Sequence, residues 1–305
     1  MIPELSATTT DERGRPTERL AARRSLGGLA ARTAGELPAL LAGVVVLFLL
    51  AAVAAPQWLA PADPLAIDPA AAFQGPGPGH WLGTDESGRD LYSRVVFGAR
   101  ESLTIGAAAT AIGLALALLL GLPAGLTAGR ARRTRWLDTV IGRVLEVLFA
   151  LPGLLLALVF IALAGPGLVT TVVAVGLSTA PGYARIIRGQ VMRLRDSAMV
   201  EAARVLGRSP GQILLRHLLP NALGPVLVLA TLGVGQAVVW ASALSFLGLG
   251  TPPPAPEWGA MLSAGRTYLQ LAWWMTVFPG LAIVLVAASA TVLGRWLQRR
   301  TEGLR

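Results

Sequence analysis

The 305-residue sequence contains no cysteine and no lysine. The first absence excludes disulfides, thiolate catalysis and cysteine-ligated metals. The second removes the lysine on which a Gly-x-x-x-x-Gly-Lys-Ser/Thr phosphate loop depends, so ATP chemistry is expected to come from elsewhere. Histidine occurs only at positions 80 and 217, too few for a histidine metal cluster or a His-containing triad within one chain. Charge is scarce as well: 14% of residues are charged and 54% hydrophobic, where a soluble domain carries about a quarter charged residues. No bound cofactor and no metal are expected.

What is present is a series of apolar runs separated by arginine-rich turns. Residues 1–36 are polar, mix arginines with acids, and are expected to form a disordered cytoplasmic tail. An apolar run over 40–59 gives a first membrane helix within residues 37–60, and residues 61–101 an extracytoplasmic segment. Five further spans are predicted near 103–128, 138–164, 167–186, 221–248 and 271–294, within a core of residues 102–297 that also holds a polar loop at 189–220. Residues 298–305 form a short C-terminus. The fold class is therefore an all-α integral membrane protein with six transmembrane helices. Gly113, Gly121 and Gly125 recur at spacings that favour close helix packing.

Orientation follows from the 26 basic residues, all arginine. The six predicted spans place 21 of them on the side of both termini and 4 on the other, with Arg143 inside the third span near Glu146. Arginine-rich loops stay cytoplasmic, so both termini and the 189–220 loop are expected there, against anionic lipid and not nucleic acid. Trp58, Trp273 and Trp274 would mark the outer interface.

The loop has its own pattern. Met199, Ala202, Ala203 and Leu206 fall at helical spacing, with Glu201 and Arg204 away from that face. Gly207 suits a left-handed helix end, and Ser209-Pro210 an N-cap and first-turn proline. A second short helix would then run past His217 and stop near Pro220 and Asn221. An exposed corner with small residues suits docking into a partner's groove. At 80–90 a turn-rich stretch precedes an amphipathic helix from Leu91, with Asp85, Arg89 and Asp90 placed for local ion pairs and caps. Gln236 and Ser242 are the candidate polar positions lining a pathway in the fifth span.

The stretch Glu201-Ala202-Ala203, Gly207, His217, Pro220, Asn221 resembles the signature cytoplasmic loop of ABC importer permeases. Residues 182–191 are similar to the approach to that loop. His80-Trp81-Leu82-Gly83-Thr84-Asp85 through Arg89-Asp90, and Leu244-Ser245-Phe246-Leu247-Gly248-Leu249-Gly250 with Pro252, Pro253, Trp258 and Gly259, resemble the second permease subunit of dipeptide, oligopeptide and nickel importers. Two positions depart from the pattern: Ala241 stands where many relatives have an acid, and Met199 where they favour an aromatic residue.

The resemblance implies a type I permease fold and alternating access. Glu201, Ala202, Ala203, Arg204 and Gly207 would form a coupling helix, supported by Ser209, Pro210, His217, Pro220 and Asn221. It also implies a second, homologous permease subunit in a heterodimer, two cytoplasmic ATPase subunits carrying ATP and Mg, and an extracytoplasmic substrate-binding protein. The cargo would be di- or oligopeptides, with nickel, a metallophore or glutathione as the alternative. An intramembrane protease would need a dyad that the spans lack, and a channel or secondary transporter would not need a docking corner.

Overall fold

In the computed structural model, residues 36–129 and 132–303 are described. The predicted tail, apart from Glu36, and the side chains of Arg130, Arg132, Arg133 and Arg135 lie outside them. Among the described residues the α-helices are α1 Glu36–Ala54, α2 Pro56–Leu59, α3 Leu91–Thr127, α4 Arg132–Phe149, α5 Gly153–Ala164, α6 Leu168–Arg195, α7 Ala198–Val205, α8 Pro210–Ile213, α9 Leu219–Phe246, α10 Trp258–Gly265 and α11 Trp274–Gly303. Among the described residues the β-pairing is one isolated bridge, Thr84 to Asp90.

α3 is longer than the predicted second span and absorbs the amphipathic helix expected from Leu91. Asp90 caps it by accepting the Ser93 N–H at 2.8 Å. No proline lies between Leu91 and residue 103, and the helix runs on for 37 residues, about 55 Å at 1.5 Å per residue. That exceeds a hydrocarbon core of about 30 Å, and α3 extends beyond it.

α3 packs along α6 through small residues. A β-carbon on Gly121 would lie 2.6 Å from the Ala184 carbonyl oxygen, and one on Gly125 2.7 Å from Val191 Cβ. Ala109, Ala117, Ala124, Ala174 and Ala184 have no exposed surface. Bare backbones in contact are the usual glue between helices in lipid, as the glycine spacing predicted.

The predicted third span, 138–164, is not one helix. Thr139–Phe149 and Gly153–Ala164 meet at 93°. Pro152 has no N–H to give, and its ring disfavours helical geometry at Leu151. The predicted fourth span ends not near 186 but at Arg195, since nothing after Ile186 breaks the helix. The first seven residues of the predicted 189–220 loop, 189–195, therefore belong to α6. α11 likewise continues to Gly303, through most of the predicted C-terminus.

Among the described residues, four helices are long and apolar enough to cross a membrane, or five when the bent pair counts as one span. α6 has the length, at 28 residues, but Thr179, Tyr183, Arg185 and Arg188 dilute its apolarity. It lies against α3, α4, α5 and α9, so its neighbours supply the apolar surroundings that its own sequence does not demand.

Residues 55–90 and 250–273 form a folded pad at one end of the bundle. Its centre is Asp85, which accepts the Ser87 and Arg89 N–H groups at 2.8 and 2.9 Å and lies 3.5 Å from Arg94 Nε and 3.6 Å from Arg89. Arg94 also donates to the carbonyls of Pro64 (3.0 Å) and Pro254 (3.3 Å). Trp274, predicted for a membrane interface, is buried instead, its indole N–H donating to the Thr84 carbonyl at 3.0 Å. Trp258 is fully buried and donates to the Val95 carbonyl at 2.9 Å.

Candidate functional site

At the other end of the bundle, α6 gives way to the corner formed by α7 and α8. The turn begins with a clamp. Arg195, the last residue of α6, donates to the carbonyls of Gly125, Leu126 and Ala128 at the end of α3 and pairs side by side with Asp196 at 2.8 and 2.9 Å. A guanidinium on the unsatisfied carbonyls of a helix C-terminus meets both their hydrogen-bonding need and the helix dipole. The clamp fixes where α7 starts.

α7 lies on the bundle through Val200 and Ala203, which join Ile213 and Leu218 in a small buried cluster against Leu126, Leu194 and Leu214. This divides the face predicted from helical spacing, on which Ala202 and Ala203 were both expected to meet a partner. Ala203 points in, whereas Ala202 is exposed, Met199 is partly so at 39%, and Leu206 is 76% exposed. Apolar residues occupy both sides of α7, so spacing alone could not tell which side the bundle takes. Glu201 and Arg204 are exposed, as predicted. Glu201 sits in the first turn and Arg204 in the last, the order that suits the helix dipole.

Gly207 closes α7 at φ +74°. Its N–H goes to the Arg204 carbonyl at 2.9 Å, and the Arg208 N–H reaches back to Ala203 at 3.1 Å, which is the Schellman arrangement. Ser209 then starts α8 with a capping box: its hydroxyl accepts the Gln212 N–H, and the Gln212 side chain accepts the Ser209 N–H. Pro210 takes the first turn, where a missing N–H costs nothing.

The predicted stop at Pro220 does not occur. α8 passes into a π-turn, Leu214–Leu218, and on into α9 without a break. The Leu219 N–H goes five residues back to Leu214, and the wider turn accommodates Pro220 in the first turn of α9. His217 lies in this π-turn. Its carbonyl accepts the Asn221 side-chain amide at 2.7 Å, and its Nε2 is buried without a hydrogen-bond partner among the described residues. Between the corner and the end of α3 lies a cleft of about 380 Å³, lined by Arg195, Arg204 and Arg208 over Leu126, Ile213 and Leu218.

The two predicted pathway residues separate. Gln236 is exposed on α9 and lines a cavity of about 490 Å³ at the α4–α5 break. Ser242 is 4% exposed and lies where Gly259 of α10 approaches α9 so closely that a β-carbon on Gly259 would fall 2.5 Å from the Ser242 carbonyl oxygen. The Ser242 hydroxyl has no hydrogen-bond partner among the described residues. Arg143 and Glu146 pair at 3.2 Å as predicted, but both are largely exposed on α4. Sequence reasoning missed the Arg195 clamp and the cavity; the Leu151-Pro152-Gly153 punctuation was the available signal for the latter.

Comparison with known proteins accords with this architecture. The dipeptide transport system permease protein of Alkalihalophilus pseudofirmus is 39% identical over 255 residues, covering 84% of this chain and 82% of the relative. The glutathione transport system permease protein of Pectobacterium atrosepticum is 39% identical over 261 residues, 85% of each. The di/tripeptide transport system permease protein of Pseudomonas aeruginosa is 39% identical over 274 residues, 88% of each. Among solved structures, an inward-facing form of the MetNI methionine ABC transporter shares the fold, with a TM-score of 0.51 at 21% identity over 70% of this chain and 96% of that one. The family model for the binding-protein-dependent transport system inner membrane component matches residues 121–303, and the chain belongs to that family of multi-pass membrane permeases.

Proposed function

We propose that the chain is one of two permease subunits of an ATP-driven importer of di- or oligopeptides, and that the α7 corner is the handle by which ATPase subunits move it. The observation that carries this is the two-sided corner. One side is fastened to α3 and α6 by Val200, Ala203 and Arg195, while Val205 and Leu206 project at 83% and 76% exposure. A rigidly attached helix with an unpartnered apolar tip transmits a push to the bundle and offers a surface to a groove.

The rest of the reading follows from it. The arginine asymmetry supports a cytoplasmic position for the corner and both termini, where two ATPase subunits would bind ATP and Mg. A homologous second permease would complete the pathway, and an extracytoplasmic binding protein would deliver cargo to the pad end. Nucleotide shifts the bundle only by favouring one of its states over the other. Peptide cargo rests on the relatives named above; glutathione, itself a peptide, is the second cargo that those relatives favour.

Proteoliposomes holding the complete transporter test this. ATP-dependent uptake of labelled dipeptides or glutathione, lost in Leu206→Glu together with ATPase co-purification, is the expected result. Retention of both in that variant would show that the corner is not the handle.

A further inference from the structure

Gln236 lies near the middle of α9 and is exposed, although Gly235 and Ala237 on either side are buried. An amide facing hydrocarbon is costly, whereas one facing a wet cavity is not. The cavity it lines opens where the third span breaks, around residues 150–152. Irregular backbone at membrane depth persists only where protein covers it or where it borders a water-filled space, and interrupted helices are where transporters build solute sites.

The wall of this notch has a definite chemistry. α6 contributes Ser178, Thr179 and Tyr183, and α9 contributes Gln236 and Trp240. The Ser178 and Thr179 hydroxyls donate to carbonyls of their own helix, Val175 and Gly176, at 2.9 and 3.0 Å, which leaves their oxygens as acceptors. Tyr183 and Gln236 have no hydrogen bond to other described residues. The tip of the Trp240 ring abuts the break, so close to Gly153 that no β-carbon fits there. Among the described residues, no carboxylate, imidazole or guanidinium lines the notch; Arg185 is engaged nearby, 4.4 Å over the Phe149 ring.

We propose that this notch is a station on the transport path that holds a peptide by its backbone. The Gln236 amide offers one donor and one acceptor edge, matching the N–H and C=O of a peptide unit. Tyr183 supplies a further hydroxyl, and the Trp240 ring an apolar surface for whichever side chain is present. Because the wall is neutral, it reads what all peptides share and tolerates side-chain differences. A bare divalent cation would find none of the carboxylate or imidazole ligands it needs there. The assignment rests on the peptide-import reading and gives it a location.

The test uses the complete transporter in proteoliposomes, with tritiated dialanine and a mixed dipeptide pool as probes. Gln236→Leu and Tyr183→Phe are expected to lower peptide moved per ATP hydrolysed about tenfold together, the size of one or two lost hydrogen bonds, while binding-protein-stimulated ATP hydrolysis persists. Gln236→Asn restores part of the loss. Independently, a photoreactive benzoylphenylalanine replacing Trp240 captures labelled peptide during turnover, and the same group replacing Leu163, 81% exposed on α5, does not. Unchanged coupling in the double variant, or equal capture at both positions, overturns the notch while leaving peptide import standing. Stimulated ATP hydrolysis with no uptake of either probe by the unaltered transporter removes the peptide reading, and the notch assignment falls with it.

Discussion

Val200 and Val205 lie on opposite sides of the eight-residue helix α7: the first is wholly buried and the second 83% exposed. The same residue type therefore serves two purposes, and substitution separates them. Val200→Asp buries an unpaired charge, which costs several kcal/mol or forces protonation, and is expected to lower the melting temperature of the purified chain and its yield. Val205→Asp adds a solvated charge within about 0.5 kcal/mol of neutral for the fold. It is expected to leave the melting temperature unchanged while reducing ATPase co-purification at least tenfold. A Val205→Asp chain that still retains its ATPase would mean that the exposed tip is not the contact.

The Arg195 clamp is expected to matter more for transmission than for folding. Its side chain is only 11% exposed, and it satisfies three carbonyls at the end of α3. Hydrogen bonds to a charged group are worth about 1.5–3 kcal/mol each when buried, but these share one donor and compete with the Asp196 pair. Arg195→Gln is therefore expected to cost about 2 kcal/mol in total. Hydrogen exchange should locate the change: faster exchange at 198–205, with the α3–α6 seam around Gly121 and Gly125 unaffected. Uniform acceleration through both regions would show a global loss of stability instead.

Much of this was legible in the sequence, and the failures have physical causes. Apolar runs placed the spans because lipid demands apolar length. The caps at Asp90, Ser209 and Gly207 were legible because each serves its own neighbouring backbone. The orientation of α7 was not, because Met199, Val200, Ala202, Ala203, Val205 and Leu206 put apolar surface on both sides. The right-angle break at Pro152 was missed because proline is often tolerated within membrane helices. Trp274 reads as an interfacial residue until the Thr84 carbonyl, 190 positions away, is known to accept its indole proton. Contacts over such separations leave no local pattern.

Arg94 joins three segments of the pad: it faces Asp85, Pro64 and Pro254. Arg94→Met keeps much of the packing volume but leaves the Pro64 and Pro254 carbonyls without that donor, and Asp85 with Arg89 as its cation. Losing one partner of a buried pair costs about 3–5 kcal/mol. The expected outcome is a bundle that still inserts, with residues 61–90 open to protease and binding-protein-stimulated ATP hydrolysis lost. Asp85→Asn should be milder, because the Ser87 and Arg89 N–H groups still meet an oxygen. Protease resistance equal to that of the unaltered chain in Arg94→Met would show that the pad is held by its apolar contacts alone.

The π-turn at Leu214–Leu218 sets the angle between the corner and α9, because it holds one residue more than an α-helical path would. Deleting Leu215, which is 65% exposed, removes that extra residue without taking a side chain from the core. An α-helical register would then carry Pro220 without the widened turn, and its ring would press on the carbonyl four residues before it, which kinks the helix. The buried cluster of Val200, Ala203, Ile213 and Leu218 spans the two sides of that kink and cannot keep all its contacts through it. Either the corner lifts from the bundle or α9 kinks at Pro220. In both cases the chain is expected to insert and to bind ATPase through an intact α7, while ATP hydrolysis no longer drives uptake. That combination, association without transport, is the signature of a handle that is gripped but no longer attached in register. Normal uptake by the deletion variant would show that the π-turn does not set the angle through which motion is passed.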